Sequence, residues 1–129
     1  MKQELAQIAL VVRDYDEAID FYVHKLKFTL VEDTVMSETK RWVVVQPSGG
    51  GCRLLLAKAA SEHQLSRIGD QTGGRVFLFL HTDDLDRDYQ HLVAEGIRIV
   101  REPSVEVFGK VLVFADLYGN LWDLICPHK

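Results

Sequence analysis

The fold is decided by residues 7–22, which read QIALVVRDYDEAIDFY. Five of the first six residues are apolar and several are β-branched, so they predict a short buried strand. The aspartates that follow predict a polar turn and the N-cap of a helix. The same order returns 70 residues later at 77–92, which read FLFLHTDDLDRDYQHL. A strand, a polar turn and a helix start therefore occur twice in one chain.

The repeat extends beyond this stretch and predicts the architecture of the whole chain. Each half reads strand–helix–strand–strand–strand, and Pro103 is predicted to break the sixth strand at residues 102–104. The predicted strands are 7–12, 28–32, 41–46, 52–58, 76–82, 97–101, 110–115 and 121–126. We expect a single domain, 1–129, with module one at 1–60, a connection at 61–75 and module two at 76–129.

This order of elements predicts an α+β fold in which each βαβββ module covers one face of a four-stranded sheet with its helix. The other face of each sheet is left without cover. We expect the two modules to form a curved, incompletely closed eight-stranded sheet around a cavity, and such a cavity suits a small molecule.

Side chains alternate along a strand, which predicts the residues that face this cavity. The more uniformly apolar set should face the helix, namely Ile8, Leu10 and Val12 in the first strand and Trp122 and Leu124 in the last. The concave side should then carry Gln7, Ala9, Val11, Phe77, Phe79, His81, Leu121, Asp123 and Ile125.

Three polar residues on the predicted concave side have two interpretations each. Asp123 either contacts a ligand or metal, or lies at a strand end or pairs with Arg53 or a backbone donor, because an unpaired buried carboxylate is costly. His81 is either a donor or base beside the ligand or an exposed strand-end residue beside Asp83. Gln7 is either a polar contact for the ligand or a surface residue at the start of its strand.

Composition and charge narrow the class of protein. The 129 residues carry a net charge of -4, without a Lys/Arg run, so we expect no nucleic-acid partner. No apolar run approaches the ~20 residues of a membrane helix, so we expect no membrane partner and a cytoplasmic location. Two cysteines, Cys52 and Cys126, lie in separate predicted strands and should both stay reduced.

Several segments together resemble the vicinal oxygen chelate superfamily, which includes glyoxalase I, bleomycin-resistance proteins and extradiol dioxygenases. The segment 8–22 with 25–28 resembles the opening module of that family, and 77–85 resembles its third signature. The segment 114–124 resembles its final hairpin. The resemblance covers essentially the whole chain, and it implies paired βαβββ modules, a homodimer and a ligand in the concave sheet.

The resemblance also implies where a divalent metal would bind in enzymes of the family. The corresponding positions here are Gln7, Leu54 or Leu55, Phe77 and Asp123, and the internal repeat favours Leu55 as the partner position of Asp123. Family enzymes carry His or Gln, Glu, His and Glu at these places. Since leucine and phenylalanine cannot ligate a metal, we expect an incomplete site.

We therefore expect a metal-free protein that binds a small, largely apolar ligand, with no cofactor. The predicted ligand-binding residues are Gln7, Val11, Leu55, Phe77, Phe79, His81 and Asp123. The alternative is a metal-dependent lyase, isomerase or dioxygenase with an altered site, for which Asp123 and His81 are the catalytic candidates. A third interpretation is an interaction module whose cavity is filled by its own side chains. The sequence leaves open whether the chain is an enzyme.

Overall fold

A computed structural model describes residues 1–128 of the chain. The chain divides into two compact units, Met1–Ile68 and Gly69–Lys129, and the boundary lies inside the predicted connection at 61–75. Each unit contains one copy of the repeat. No helix among the described residues is both long enough and apolar enough to span a membrane.

The first unit contains a four-stranded sheet and two short helices. Its strands are β1 (Gln7–Val12), β2 (Thr29–Val35), β3 (Arg41–Gln46) and β4 (Arg53–Lys58). Helix α1 (Tyr15–Ile19) continues directly into a π-helical segment, Asp20–Lys25, and α2 (Glu62–Leu65) follows β4. The strand order is β1-β4-β3-β2, with β1 parallel to β4 and the other pairs antiparallel.

The second unit repeats this topology. Its elements are β5 (Val76–His81), α3 (Leu85–Ala94), β6 (Ile99–Glu106), β7 (Gly109–Ala115) and β8 (Leu121–Pro127). The strand order is β5-β8-β7-β6, and β5 is parallel to β8. The predicted order of strands and helices is therefore confirmed in both units.

Two strands extend well beyond their predicted ends, and the other strand boundaries differ from the predicted ones by at most two residues. Strand β2 continues to Val35, which pairs with Arg41 of β3, and Arg41 also donates to both carboxylate oxygens of Asp33 at 3.1 and 2.7 Å. Strand β6 continues through Pro103 instead of breaking there. It lies at the edge of its sheet, and its register against β7 shifts between Arg101 and Ser104, so proline removes no regular ladder bond.

Helices α1 and α3, which follow the first strand of each unit, begin with the same cap. The Asp14 side chain accepts a hydrogen bond from the Glu17 backbone at 2.9 Å, and Asp84 accepts one from the Arg87 backbone at 3.0 Å. A capping aspartate of this kind contributes about 1 kcal/mol by satisfying an unpaired N–H group of the first turn. The repeat seen in the sequence is thus reproduced at the level of single hydrogen bonds.

The two helices end differently. Helix α3 ends in a Schellman motif, in which Gly96 has φ 71° and the Ile97 N–H donates to the Leu92 carbonyl at 2.9 Å. In the first unit the corresponding residue is Lys27, with φ 66°, and the Phe28 N–H donates to the Tyr22 carbonyl at 2.9 Å. The first unit has one residue more than the second between the capping aspartate and the residue with positive φ. The π-helical segment accommodates this extra residue.

The helix-side face of each sheet is the core. Leu10, Val12, Trp122 and Leu124 are buried as the alternation predicted, and Phe114 stacks on Trp122 with ring centroids 5.8 Å apart. Further buried residues on this side include Val43, Val45, Leu54, Leu56, Leu112, Leu85 and Leu92. On the opposite face the central-strand residues Val44, Val111, Val113 and Ile125 are buried as well. Each fully buried aliphatic side chain contributes roughly 1.5–3 kcal/mol.

The turn between β7 and β8 is held by a buried carboxylate. Asp116 accepts hydrogen bonds from the backbones of Tyr118 and Asn120 at 3.0 and 2.9 Å, and from the Asn120 side-chain amide at 2.9 Å. Gly69 lies directly against this turn, since a Cβ atom built on it would be 1.9 Å from the Tyr118 carbonyl oxygen. Only glycine fits there.

Candidate functional site

The open face of each sheet, defined as the face opposite the buried core, carries the predicted site residues. In the first sheet Gln7 lies beside Arg53, Ala9 beside Leu55, and Val11 beside Ala57 on the parallel pair β1 and β4. Gln7, Val11 and Leu55 are half-buried. The structure therefore places all three on the predicted face, while their contact with a ligand stays a prediction.

In the second sheet one row of side chains crosses all four strands. Phe79 on β5 lies beside Asp123 on β8, Asp123 lies beside Val113 on β7, and Val113 lies beside Arg101 on β6. We call this row of four residues the rung. The Phe79 side chain is 64% exposed although it lies within a strand. A large exposed ring at such a place indicates a contact surface rather than core.

Phe77 is not the geometric counterpart of Gln7 that a constant offset implies. Strand β5 pairs Val76 with Leu121 and then Leu78 with Trp122, so Phe77 is an extra, bulged residue. The first sheet has no such bulge, because Gln7 and Ile8 pair with consecutive residues of β4. A β-bulge redirects the side chains around it. Phe77 is half-buried in this position.

His81 lies apart from the rung. It is the last residue of β5, it is exposed, and it pairs with Ile125 rather than with Asp123. These observations agree with the interpretation of His81 as an exposed strand-end residue. Its proposed role as a catalytic acid or base stays a prediction.

Asp123 lies in the middle of the row and not at a strand end. Strand β8 extends on both sides of it, and its side-chain carboxylate accepts no hydrogen bond from any residue between 1 and 128. Partial burial raises the pKa of the Asp123 carboxyl, and the positive charge of Arg101 opposes that increase. A carboxylate held in this way favours a donor or a cation brought by a ligand.

The four positions that bind the metal in family enzymes do not fit a metal here. Leu55 and Phe77 have no donor atoms, which leaves one amide at Gln7 and one carboxylate at Asp123. Among the described residues there is also no cluster of three or more His, Cys, Asp or Glu side chains suited to a metal ion. Tight divalent sites need three or four such ligands.

Sequence reasoning missed Arg101 and Val113 as members of this surface. Both were placed in strands, but the side-chain face of β6 depends on its register against β7, which shifts twice. The single available signal was the apolar–polar change from Val100 to Arg101, which is too short to assign a face. Leu55 was correctly matched to Asp123, because both lie beside equivalent residues of β1 and β5.

The fold and its open sheet faces define a class of protein built from paired βαβββ modules. The chain belongs to the Glyoxalase/Bleomycin resistance protein/Dioxygenase superfamily, whose sequence model matches residues 4–124. The predicted fold, the glyoxalase/bleomycin-resistance fold, is thereby confirmed.

Individual relatives agree with this assignment. An uncharacterized protein of Shewanella frigidimarina (strain NCIMB 400) is 61% identical over 97% of this chain and 94% of its own. The crystal structure of UcmS2 is 28% identical over 97% of this chain and 98% of its own, with a TM-score of 0.84. TnmS3, described as an antibiotic binding protein from Streptomyces sp. CB03234, is 27% identical over 98% of both chains, with a TM-score of 0.78.

Proposed function

We propose that this protein binds a small, largely apolar ligand on the open faces of its sheets without the metal of the family enzymes. The observation that carries the proposal is Phe79, a highly exposed ring within a strand and beside the unpaired carboxylate of Asp123. Aromatic side chains placed beside a few polar groups are typical of small-molecule sites. The similarity to TnmS3 supports the same class of activity.

The chemistry of the family's metal positions supports the metal-free part of the proposal. Family enzymes depend on the metal to polarise oxygens of the substrate. Leu55 and Phe77 occupy two of the four positions and cannot ligate a metal, so the remaining residues do not provide a site for this chemistry. Sequestering or sensing a ligand needs no such group, so binding is the simpler activity.

A fluorescence titration with 8-anilinonaphthalene-1-sulfonate, an anionic probe with an apolar aromatic body, tests the proposal. Phe79→Ala should weaken probe binding at least fivefold, because one stacked aromatic pair contributes about 0.5–1.5 kcal/mol beyond the area that it buries. The matched control is Phe108→Ala, since Phe108 is 56% exposed but lies in the β6–β7 turn. Equal losses in both variants, or none in either, would refute the proposal.

One observation favours the alternative of a metal-dependent lyase, isomerase or dioxygenase. Asp123 lies at a family metal position, and its carboxylate accepts no hydrogen bond from residues 1–128. Protein purified without an affinity tag should therefore be analysed for metal and then titrated with Ni²⁺, Zn²⁺, Mn²⁺ and Fe²⁺. Stoichiometric metal that is lost in Asp123→Ala would replace the proposed function with this alternative.

We also propose a homodimer in the cytoplasm. The family resemblance supports the dimer, and the free thiols of Cys52 and Cys126 are compatible with a reducing compartment. Light scattering on the purified protein would test the oligomeric state, with a mass of one chain, 14.7 kDa, contradicting the dimer.

A further inference from the structure

The rung of the second sheet differs in chemistry from the matching row of the first. The matching row consists of Ala9, Leu55, Val44 and Glu32. It offers aliphatic groups and a carboxylate at one sheet edge. The rung offers an aromatic ring, a carboxylate and a guanidinium group in line across four strands. The rung therefore carries more groups capable of selective recognition than the matching row of the first sheet.

Both charged residues of the rung have hydrogen-bonding capacity that the described residues do not use. Asp123 accepts no hydrogen bond from them. Arg101 has two charged neighbours, Asp123 and Glu106, and the closest approach of the charged atoms of Arg101 and Glu106 is 3.8 Å, too long for a hydrogen bond. Because the Arg101 side chain is 66% exposed and that of Glu106 37%, the attraction between these two is weak. Arg101 is therefore available to a ligand.

The order of strands sets the spacing of the three groups. Neighbouring strands lie about 4.8 Å apart, so the backbones at Phe79 and Asp123 are about 5 Å apart and those at Asp123 and Arg101 about 10 Å apart. The long side chain of Arg101 shortens the second gap, and its charge acts on Asp123 across Val113. A ligand of modest size can contact all three groups at once.

Covering this row with a ligand removes water from two opposite charges. A neutral ligand would leave both charges without a partner, which is costly. An anion alone would satisfy Arg101 but face Asp123, and a cation alone would satisfy Asp123 but face Arg101. A ligand with both a donor and an acid avoids each of these costs.

We infer that the rung binds an amphoteric aromatic ligand, with its ring on Phe79, a protonated amine at Asp123 and a carboxylate at Arg101. The inference rests on the proposed function and narrows it from an apolar ligand to an aromatic one with two opposite charges. It assigns Arg101 to the binding surface, a place that no sequence pattern predicted.

Four probes that share one ring test this inference by isothermal titration calorimetry. The first is 3-(2-naphthyl)-L-alanine, which carries both charges. Its amide keeps only the amine charge, its N-acetyl derivative keeps only the acid charge, and its N-acetyl amide carries neither. The probe with both charges should bind about tenfold tighter than the neutral one, since charge-assisted hydrogen bonds are the strong ones.

Two isosteric or near-isosteric variants assign each charge to its residue. Asp123→Asn should abolish the advantage given by the amine and keep that given by the acid, and Arg101→Gln should do the opposite. Arg98→Gln is the matched control, because Arg98 is an exposed arginine outside the rung, and it should behave as the unmodified protein. Circular dichroism checks that each variant is folded.

The outcomes separate this inference from the proposed function. Equal affinity for the four probes, or no binding of any of them while 8-anilinonaphthalene-1-sulfonate still binds in a Phe79-dependent manner, overturns the inference alone. Loss of dependence on Phe79 for every probe overturns the proposed function as well. A preference for charged probes that persists in both Asp123→Asn and Arg101→Gln also overturns the inference, since residues outside the rung would then bind the charged groups of the probe.

Discussion

The two units share one topology but do not keep one spacing. Ala9 and Phe79 occupy equivalent positions in the two units and are 70 residues apart in sequence, whereas the equivalent residues Lys27 and Gly96 are 69 residues apart. Leu55 and Asp123 occupy matching places 68 residues apart. Hydrogen-bonded ladders tolerate single-residue changes only at turns, bulges and helix irregularities. The comparison shows that these matched places keep equivalent neighbours, although the number of residues between them differs and the ladders differ in their bulges.

The two β-hairpins closest to the sheet centres differ most. The β7–β8 turn is held by the buried Asp116 and supported by Gly69. The turn between β3 and β4 contains Gly49, Gly50 and Gly51, and a Cβ atom on any of them would meet nothing within 4 Å. One turn is therefore packed and the other is open, although they occupy the same place in the repeat.

The largest effect is expected for Gly69→Ala in the packed turn. A Cβ atom 1.9 Å from the Tyr118 carbonyl oxygen forces the backbone apart, and the φ of +79° adds strain. We expect a loss of about 3 kcal/mol or more in the free energy of unfolding. Urea denaturation followed by circular dichroism measures it.

The matched control is Gly50→Ala in the open turn. Gly50 has a similar φ of +89° but free space around it, so only the conformational cost of about 1–2 kcal/mol remains. Equal losses in the two variants would show that the packing of Gly69 against Tyr118 contributes nothing and that the two turns are alike.

A smaller effect is expected at the helix ends. Lys27→Gly should stabilise the protein by about 0.5–1 kcal/mol, because glycine adopts a positive φ without the steric cost paid by lysine. Gly96→Lys should destabilise it by a similar amount, since free space around Gly96 leaves only the conformational term. Thermal unfolding of both variants would test this, and a change of the same sign in both would contradict it.

The smallest effect concerns pH and Asp123. The folded-state pKa of its carboxyl is raised, so the stability contributed by the protonated form is present below the unfolded pKa of about 4 and is lost as pH rises through the folded pKa. Asp123→Asn should therefore stabilise the protein at pH 7 and have little effect at pH 4. Urea midpoints at several pH values provide the measurement.

Leu55→Asn in the first sheet is the counterpart of that substitution. Neither leucine nor asparagine has an ionisable side chain, so the loss in the free energy of unfolding should not vary with pH between 4 and 7. A pH-dependent stability change in Leu55→Asn, or a pH-independent one in Asp123→Asn, would contradict the expected difference between the two sheets.

Much of the fold could be predicted because the repeat and the alternation of side chains are local signals. A capping aspartate after each first strand, and the core residues Leu10 and Trp122, could be predicted from short patterns, and the structure identifies the caps as Asp14 and Asp84. The family resemblance limited the position that matches Asp123 to Leu54 or Leu55, and the internal repeat favoured Leu55. These signals depend on residues that are close in sequence or on the internal repeat, and both can be recognised in a single sequence.

The rest depended on register, which a single sequence does not display. The bulge at Phe77 and the shifts in β6 arise from how two strands align, so the position of Arg101 beside Val113 could not be read in advance. The continuation of β6 through Pro103 has the same origin, because it depends on β6 being an edge strand.

The parallel pairing in each unit has a consequence for synthesis of the chain. Among the described residues, β1 has β4 as its one ladder neighbour, and β5 has β8. We expect each of these first strands to wait for about 46 further residues, until residue 58 has left the ribosome for β1 and until residue 127 has left it for β5. Because chains emerge at roughly 5–20 residues per second, β5 and its exposed Phe79 remain unpaired in the nascent protein for several seconds. Loss of the final strand would make that transient state permanent.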